Sequence, residues 1–228
     1  MSSVFKISDW SARSKGLDSK LLFEKWLKEG TRVLDDDGVK YVPGCKELKP
    51  AVRRRATLLS KLVIDSFYEI TIKDGGDLSN EAMVFASKNG EIEILDNLLN
   101  QMYQGEELSP MDFCNSVHHT PTGYLSMATL NRGISKTVSA GNNTFAAGLL
   151  EAAVIIERKK SDSVYLLVSD LMVPESLGEV LTPDPFAYGM AILLEEADGM
   201  DKNSFSIDDI KELFYTDSDV FDFLKRHI

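Results

Sequence analysis

LSPMDFCNSVHHTPTGYLSMATLNRGISKTVSAGNNTFAAGLLEAA, residues 108–153, is the stretch whose reading decides the fold. Ser135 to Ala140 predicts a short strand, and Thr144 to Lys159 predicts a strongly apolar helix. Gly141-Asn142-Asn143 lies between them. A strand that runs straight into a helix is the repeating unit of a sheet covered by helices.

The same rhythm extends outward. AMVFAS, residues 82–87, is apolar on successive residues and is followed by KNGE, which predicts a buried strand ending in a turn. EIEILDNLLNQMYQ, 91–104, then predicts an amphipathic helix. SVYLLVS, 163–169, and YGMAILLEEA, 188–197, predict two further strands, separated by a loop containing Pro174, Pro183 and Pro185. Nearer the N-terminus, 19–29 places Leu21, Leu22, Trp26 and Leu27 at helical spacing, with Gly30 as a stop. Residues 50–70 predict one more helix, with Pro50 in its first turn and Leu58, Leu59, Leu62, Val63 and Phe67 on its apolar face. The segment from about Asp198 is acidic, and Ile207, Ile210, Leu213 and Phe214 predict one or two closing helices. The expected class is α/β, in a single domain spanning 1–228 with an acidic helical tail from about 198.

The chain has 228 residues, 43% hydrophobic and 27% charged, enough to bury a full core. Its net charge of -11 argues against nucleic acid as a partner. One segment departs from this balance: residues 44–61 carry six basic side chains against one acid. Arg53, Arg54 and Arg55 lie in it, and such a cluster forms either a solvated helix face or a docking site for an acidic or phosphorylated partner. Cys45 and Cys114 are far apart, in neither a disulfide framework nor a metal-ligand pattern. The opening MSSVFKISDW has no apolar leader core, and no window approaches the run of about 18 apolar residues that spans a membrane. A cytoplasmic protein without metal or cofactor is expected.

Three fragments of the deciding stretch, LSPMDF, SVHHTPTGYLSMA and NRGISKTVSAGNNTFAAGLLEAA, resemble in order and spacing the segment of β-ketoacyl synthases that leads to the nucleophile and its helix. The family's Gly-Pro-Ser and strand fall on Gly133, Ile134, Ser135 and the residues to Val138. Its Thr-Ala-Cys-Ser-Ser falls on Ala140-Gly141-Asn142-Asn143-Thr144. The likeness covers most of 40–197 and includes AMVFAS and DPFAYGMAILLEE. It implies a thiolase-like fold, here a single N-terminal half of a ketosynthase built as a mixed sheet with helices packed on it. Among members of the family, the short chain length factors found beside ketosynthases in aryl polyene and related pathways are the most similar.

The resemblance implies how the site has changed. Condensation needs a thiolate at a helix N-terminus, where the dipole lowers the thiol pKa and backbone N–H groups hold an oxyanion. Asn142 stands at that position, and a carboxamide forms no acyl-enzyme. Cys114 lies 28 residues earlier, in the loop after LSPMDF, and reads as a buried structural cysteine. The family's two catalytic histidines come from a second half, whereas His118 and His119 align near a subunit interface and His227 is expected in solvent.

Three roles follow from the resemblance. The first is a noncatalytic subunit that forms a heterodimer with an active β-ketoacyl-ACP synthase and walls its acyl tunnel with Phe113, Ser116, Val117, His118, His119 and Tyr124. The second is a malonyl-ACP decarboxylase using the Asn142 amide. The third is an acyl carrier protein-binding module using Arg53, Arg54 and Arg55. Half of a two-half fold also leaves one layer uncovered, which the tail after Asp198 is expected to cover in part.

Overall fold

The chain opens with an eleven-residue strand that no simple alternation announces, β1 (Val4–Ser14). Phe5 and Ile7 face one core, and so do Trp10 and Ala12, because a bulge between Ile7 and Asp9 inserts one residue and shifts the phase. A computed structural model of the protein describes residues 3–30, 43–71, 76–181, 186–199, 203–216 and 218–228. Pro183 and Pro185 of the expected loop lie outside them. Ser19 caps α1 (Lys20–Glu29), accepting from the Leu22 N–H at 3.3 Å, and Gly30 ends it at φ 66.

The single helix expected over 50–70 is two helices, α2 (Pro50–Arg55) and α3 (Leu58–Thr71). Ala56 leaves helical space at ψ 136, and the Thr57 hydroxyl oxygen takes the Ser60 N–H at 3.0 Å as a new cap. The same hydroxyl donates to Glu91 Oε1 at 2.6 Å. A residue 34 positions away therefore fixes the break. Beyond it come β2 (Met83–Ala86), α4 (Ile92–Gln104), α5 (Pro110–Asn115) and α6 (Thr120–Thr129). The last two are short, and each begins at a proline in its first turn. β3 (Ser135–Val138), α7 (Thr144–Glu157), β4 (Ser163–Asp170) and β5 (Tyr188–Glu196) follow near their expected places. The tail supplies β6 (Ser204–Ser206), α8 (Ile207–Leu213) and α9 (Val220–His227).

The strands form one mixed sheet in the order β3-β2-β4-β5-β1-β6. β2 is parallel to β3 and β4, whereas β5 is antiparallel to both β4 and β1, and β6 is antiparallel to β1. Central strands are apolar on both faces. In β4, Val164, Leu166 and Val168 enter one core, while Tyr165 and Leu167 enter the other. α3 and α6 cover the second face. α7 covers the first, seated so closely that a methyl group on Gly148 would lie 2.7 Å from the Ala86 Cβ.

The tail completes the first face. Phe221 lies among the rings of Phe23, Trp26, Phe186 and Tyr188 at centroid distances of 5.0 to 6.1 Å. Phe223 packs on Phe145 and Phe205. Ser206 and Asp209 close a capping box at α8, and the Asp219 carboxylate accepts the Phe221 and Asp222 N–H groups at the start of α9. His227, expected in solvent, instead stacks on Phe223 at 4.4 Å, and burial pulls its pKa down.

Glu91 is 3% exposed, and the partners that hold its carboxylate are the hydroxyls of Thr57 and Ser60. Burial pushes its carboxyl up to about 7, against the lowering effect of those hydroxyls. Folding therefore favours the protonated form, so stability falls as pH rises from the ordinary carboxyl value through about 7. The total loss should be about 3 kcal/mol. Urea denaturation of Glu91→Gln between pH 5 and pH 8 should show this slope removed; a slope equal to the wild type's would refute the assignment.

Candidate functional site

The turn from β3 into α7 is built by its own short-range bonds. Gly141 adopts φ +57, a conformation costly for side-chain-bearing residues, and a single 3₁₀ turn covers Gly141–Asn143. The Thr144 hydroxyl donates to the Gly141 carbonyl at 2.6 Å and accepts the Ala140 N–H at 2.9 Å. Ser139 Oγ donates to the Lys88 carbonyl at 3.1 Å, tying the turn to the end of β2. That neighbouring turn is organised by Asp170, 3% exposed at the end of β4, which accepts from Ser87 Oγ, Lys88 N and Asn89 N at 2.8 to 3.1 Å. Asn142 is left exposed at the mouth of the structure so formed.

A cleft of about 440 Å³ opens there. Asn142, Lys88 and Asp170 line one side, while Tyr215, Ser218 and Asp219 of the tail line the other. Burial raises the Asp219 carboxyl even though it accepts two backbone N–H groups. Among the described residues lining the cleft there is no cysteine and no histidine. What remains is the N-terminal turn of α7, amides, hydroxyls, the carboxylates of Asp170 and Asp219 and the Lys88 ammonium, with no thiol to attack and no imidazole among the described lining residues.

The sequence signature described as Beta-ketoacyl synthase, N-terminal domain, matches residues 25–216. The chain belongs to this family. No curated protein matches its sequence. Among solved structures it is similar to a chain in the complex of a ketosynthase with its chain length factor from Xenorhabdus doucetiae. The identity is 26%, over 86% of this chain and 80% of that one, with a TM-score of 0.71. The ishigamide ketosynthase/chain length factor shares 15% identity, with a TM-score of 0.67 over 87% of this chain and 63% of that one. A β-ketoacyl synthase from Burkholderia phymatum STM815 shares 15%, with a TM-score of 0.62 over 87% of this chain and 60% of that one. These last two likenesses show the thiolase-like fold, and this chain spans less than two thirds of their length.

As an N-terminal ketosynthase domain, the chain carries its remaining candidates away from the cleft. His118 Nε2 lies 2.8 Å from the Ser87 carbonyl, and His119 Nδ1 lies 2.6 Å from Thr137 Oγ1, so both histidines brace the β2–β3 edge. Cys114 is on α5, not in a loop, and is exposed; the buried cysteine is Cys45, whose thiol is pushed up by burial and by Asp65. Phe113 and Val117 are 64% and 55% exposed at the α5–α6 corner. Ser116 beside them donates to the Phe113 carbonyl. Tyr124 faces inward instead, its hydroxyl donating within reach of the Arg55 carbonyl at 2.9 Å and Asn115 Oδ1 at 3.0 Å, and it supports that corner from beneath. Among the described residues no three potential ligands lie together for a metal ion, and no helix is long and apolar enough to cross a membrane. The tail's share of the cleft has no local sequence signal, since it depends on how α9 docks.

A thiol placed on this turn should report the helix N-terminus directly. Asn142→Cys should be alkylated by iodoacetamide at pH 7 about tenfold faster than Cys114 in the same chain, followed by peptide mass mapping. An equal or slower rate would mean that the turn offers no anion stabilisation.

Proposed function

We propose that this chain is a noncatalytic, chain length factor-like subunit that pairs in the cytoplasm with an active β-ketoacyl-ACP synthase. It shapes that partner's acyl tunnel in polyketide, aryl polyene or fatty-acid-type biosynthesis. The observation that carries the proposal is Asn142, exposed on the turn before α7 in a cleft whose described lining holds neither cysteine nor histidine. If that turn is the one that holds the nucleophile in ketosynthases, as the resemblance implies, a carboxamide there suits a subunit retained for shape. The similar length of the matching chain in the ketosynthase and chain length factor complex supports the same reading.

Phe113 is the side chain best placed to wall a partner's tunnel. Its helix is capped by Ser109, and the Asn115 side chain donates to the Arg55 carbonyl at 3.2 Å, so the exposed ring stands on a fixed base. The alternative of malonyl decarboxylation has the Asn142 amide but none of the family's histidines near it among the described cleft residues.

A second reading, carrier-protein docking at α2, is favoured by a separate observation. Arg54 and Arg55 are exposed and Arg53 is half-buried, and among the described residues none of the three enters an ion pair. Free guanidinium groups suit the acidic surface of a carrier protein.

Coexpression with an active β-ketoacyl-ACP synthase of the same source should give a one-to-one heterodimer by size exclusion and mass analysis. A folded monomer with no affinity for it would sink the proposal. Within the heterodimer, Phe113→Ala should lengthen products by about one or two two-carbon units, because a close-packed wall yields little until its bulk is removed. Unchanged length with intact assembly would clear Phe113 of that role. Replacing Arg53, Arg54 and Arg55 with alanine should abolish salt-sensitive carrier binding; undiminished binding would place the carrier elsewhere.

A further inference from the structure

The outward faces of α4, α5 and α6, with the residues that connect and cap them, carry ten of the fifteen large apolar side chains that are exposed among the described residues. Leu99, Met102, Tyr103, Phe113, Val117 and Leu130 are 46% to 92% exposed. On α4 the apolar arc does not stop at buried Ile92 and Leu98 but continues to Leu95, Leu99 and Met102, so it is wider than the chain itself covers. Leu130 caps α6 in a left-handed backbone, φ 57, its N–H donating to the Ser126 carbonyl, and its side chain is 75% exposed. The helices form one surface. The Ser109 N–H at the start of α5 donates to Gln101 Oε1 of α4, and Thr120 Oγ at the start of α6 donates to the Asn115 carbonyl of α5.

Within residues 90–131 the charge has one sign, and the exposed Arg55 and Arg132 lie at the border of that segment. From Gly90 to Asn131 the sequence contains no lysine or arginine, while Glu93, Asp96, Glu106, Glu107 and Asp112 all fall within it. Glu93, Glu106 and Glu107 are exposed beside the apolar side chains. Two copies joined on this face by a two-fold axis would set each acidic rim against the other or against apolar surface, with no cation in the segment to answer it. Like-charge juxtaposition of this kind is how an interface refuses a wrong partner.

We propose that this face takes an unlike chain whose matching surface is apolar with a rim of lysine and arginine, and that its own acidic rim rejects a second copy. The inference rests on pairing with a ketosynthase subunit and specifies the chemistry of that subunit's face. An acidic carrier protein is repelled here and is left the arginines of α2.

The test uses the chain, the β-ketoacyl-ACP synthase of the same source with which it pairs, and the variant E93K/E106K/E107K, checked by circular dichroism to melt as the wild type does. At about 50 mM salt the variant should associate with the ketosynthase about tenfold more slowly than wild type, and at about 500 mM the two rates should converge. The wild-type chain alone should sediment as a monomer at both salts. Association equally fast for both proteins at both salts would overturn the charge assignment while leaving the pairing intact. A wild-type homodimer that Leu99→Asp dissolves would overturn the rejection of self. Failure of wild type to bind the ketosynthase under any of these conditions would instead overturn the pairing on which the inference rests.

Discussion

A sheet that is apolar on both faces must be covered twice, and that requirement governs the rest of this molecule. β2, β4 and β5 bury side chains above and below, and only the strand ends and Leu193 reach toward water. One cover is α3 with α6. The other is α7, which Gly148 lets down onto Ala86 at a distance no larger residue would permit. α7 alone is too narrow to cover a sheet of six strands, and α1, α8 and α9 close the remainder through the rings around Phe23, Phe221 and Phe223.

That arrangement also determines what the site has become. The turn carrying Asn142 sits at the N-terminus of the helix that the tail packs against, so the tail's loop necessarily walls the space in front of it. Cysteine and histidine are absent from the described lining, while the backbone of the turn is held by Thr144 and Ser139. The second cover is thus at once a structural closure and the far wall of the cleft.

Much of this was legible in the residues, and the limits have physical causes. The buried strands read clearly because two-sided burial writes an unbroken apolar run, and α1 read clearly because Ser19 and Gly30 mark its ends. β1 did not, since the bulge after Ile7 puts its apolar residues out of phase. The break between α2 and α3 is fixed by Glu91, a partner distant in sequence, and no local pattern at Thr57 announces it. α5 and α6 are too short to show periodicity. Cys114 was misjudged as buried because cysteine is usually a core residue, whereas here it points outward from a short helix. At the site, Asn142 could be located by its position between a strand and an apolar helix. The walls opposite it could not, because they belong to the tail.

The pairing of β1 bears on how the molecule comes into being. This first strand is packed by α1, which follows it closely, but its strand partners are β5 and β6, from residues 188–206. Contacts so distant along the chain pay their loop-closure entropy before any pairing rewards it, which slows folding. During synthesis β1 must wait for its strand partners until most of the chain has left the ribosome, with α1 able to cover Trp10 early through Phe23 while the backbone of β1 stays unpaired. The nascent protein therefore passes through a long interval with an unpaired strand edge, a feature that favours contact with other chains.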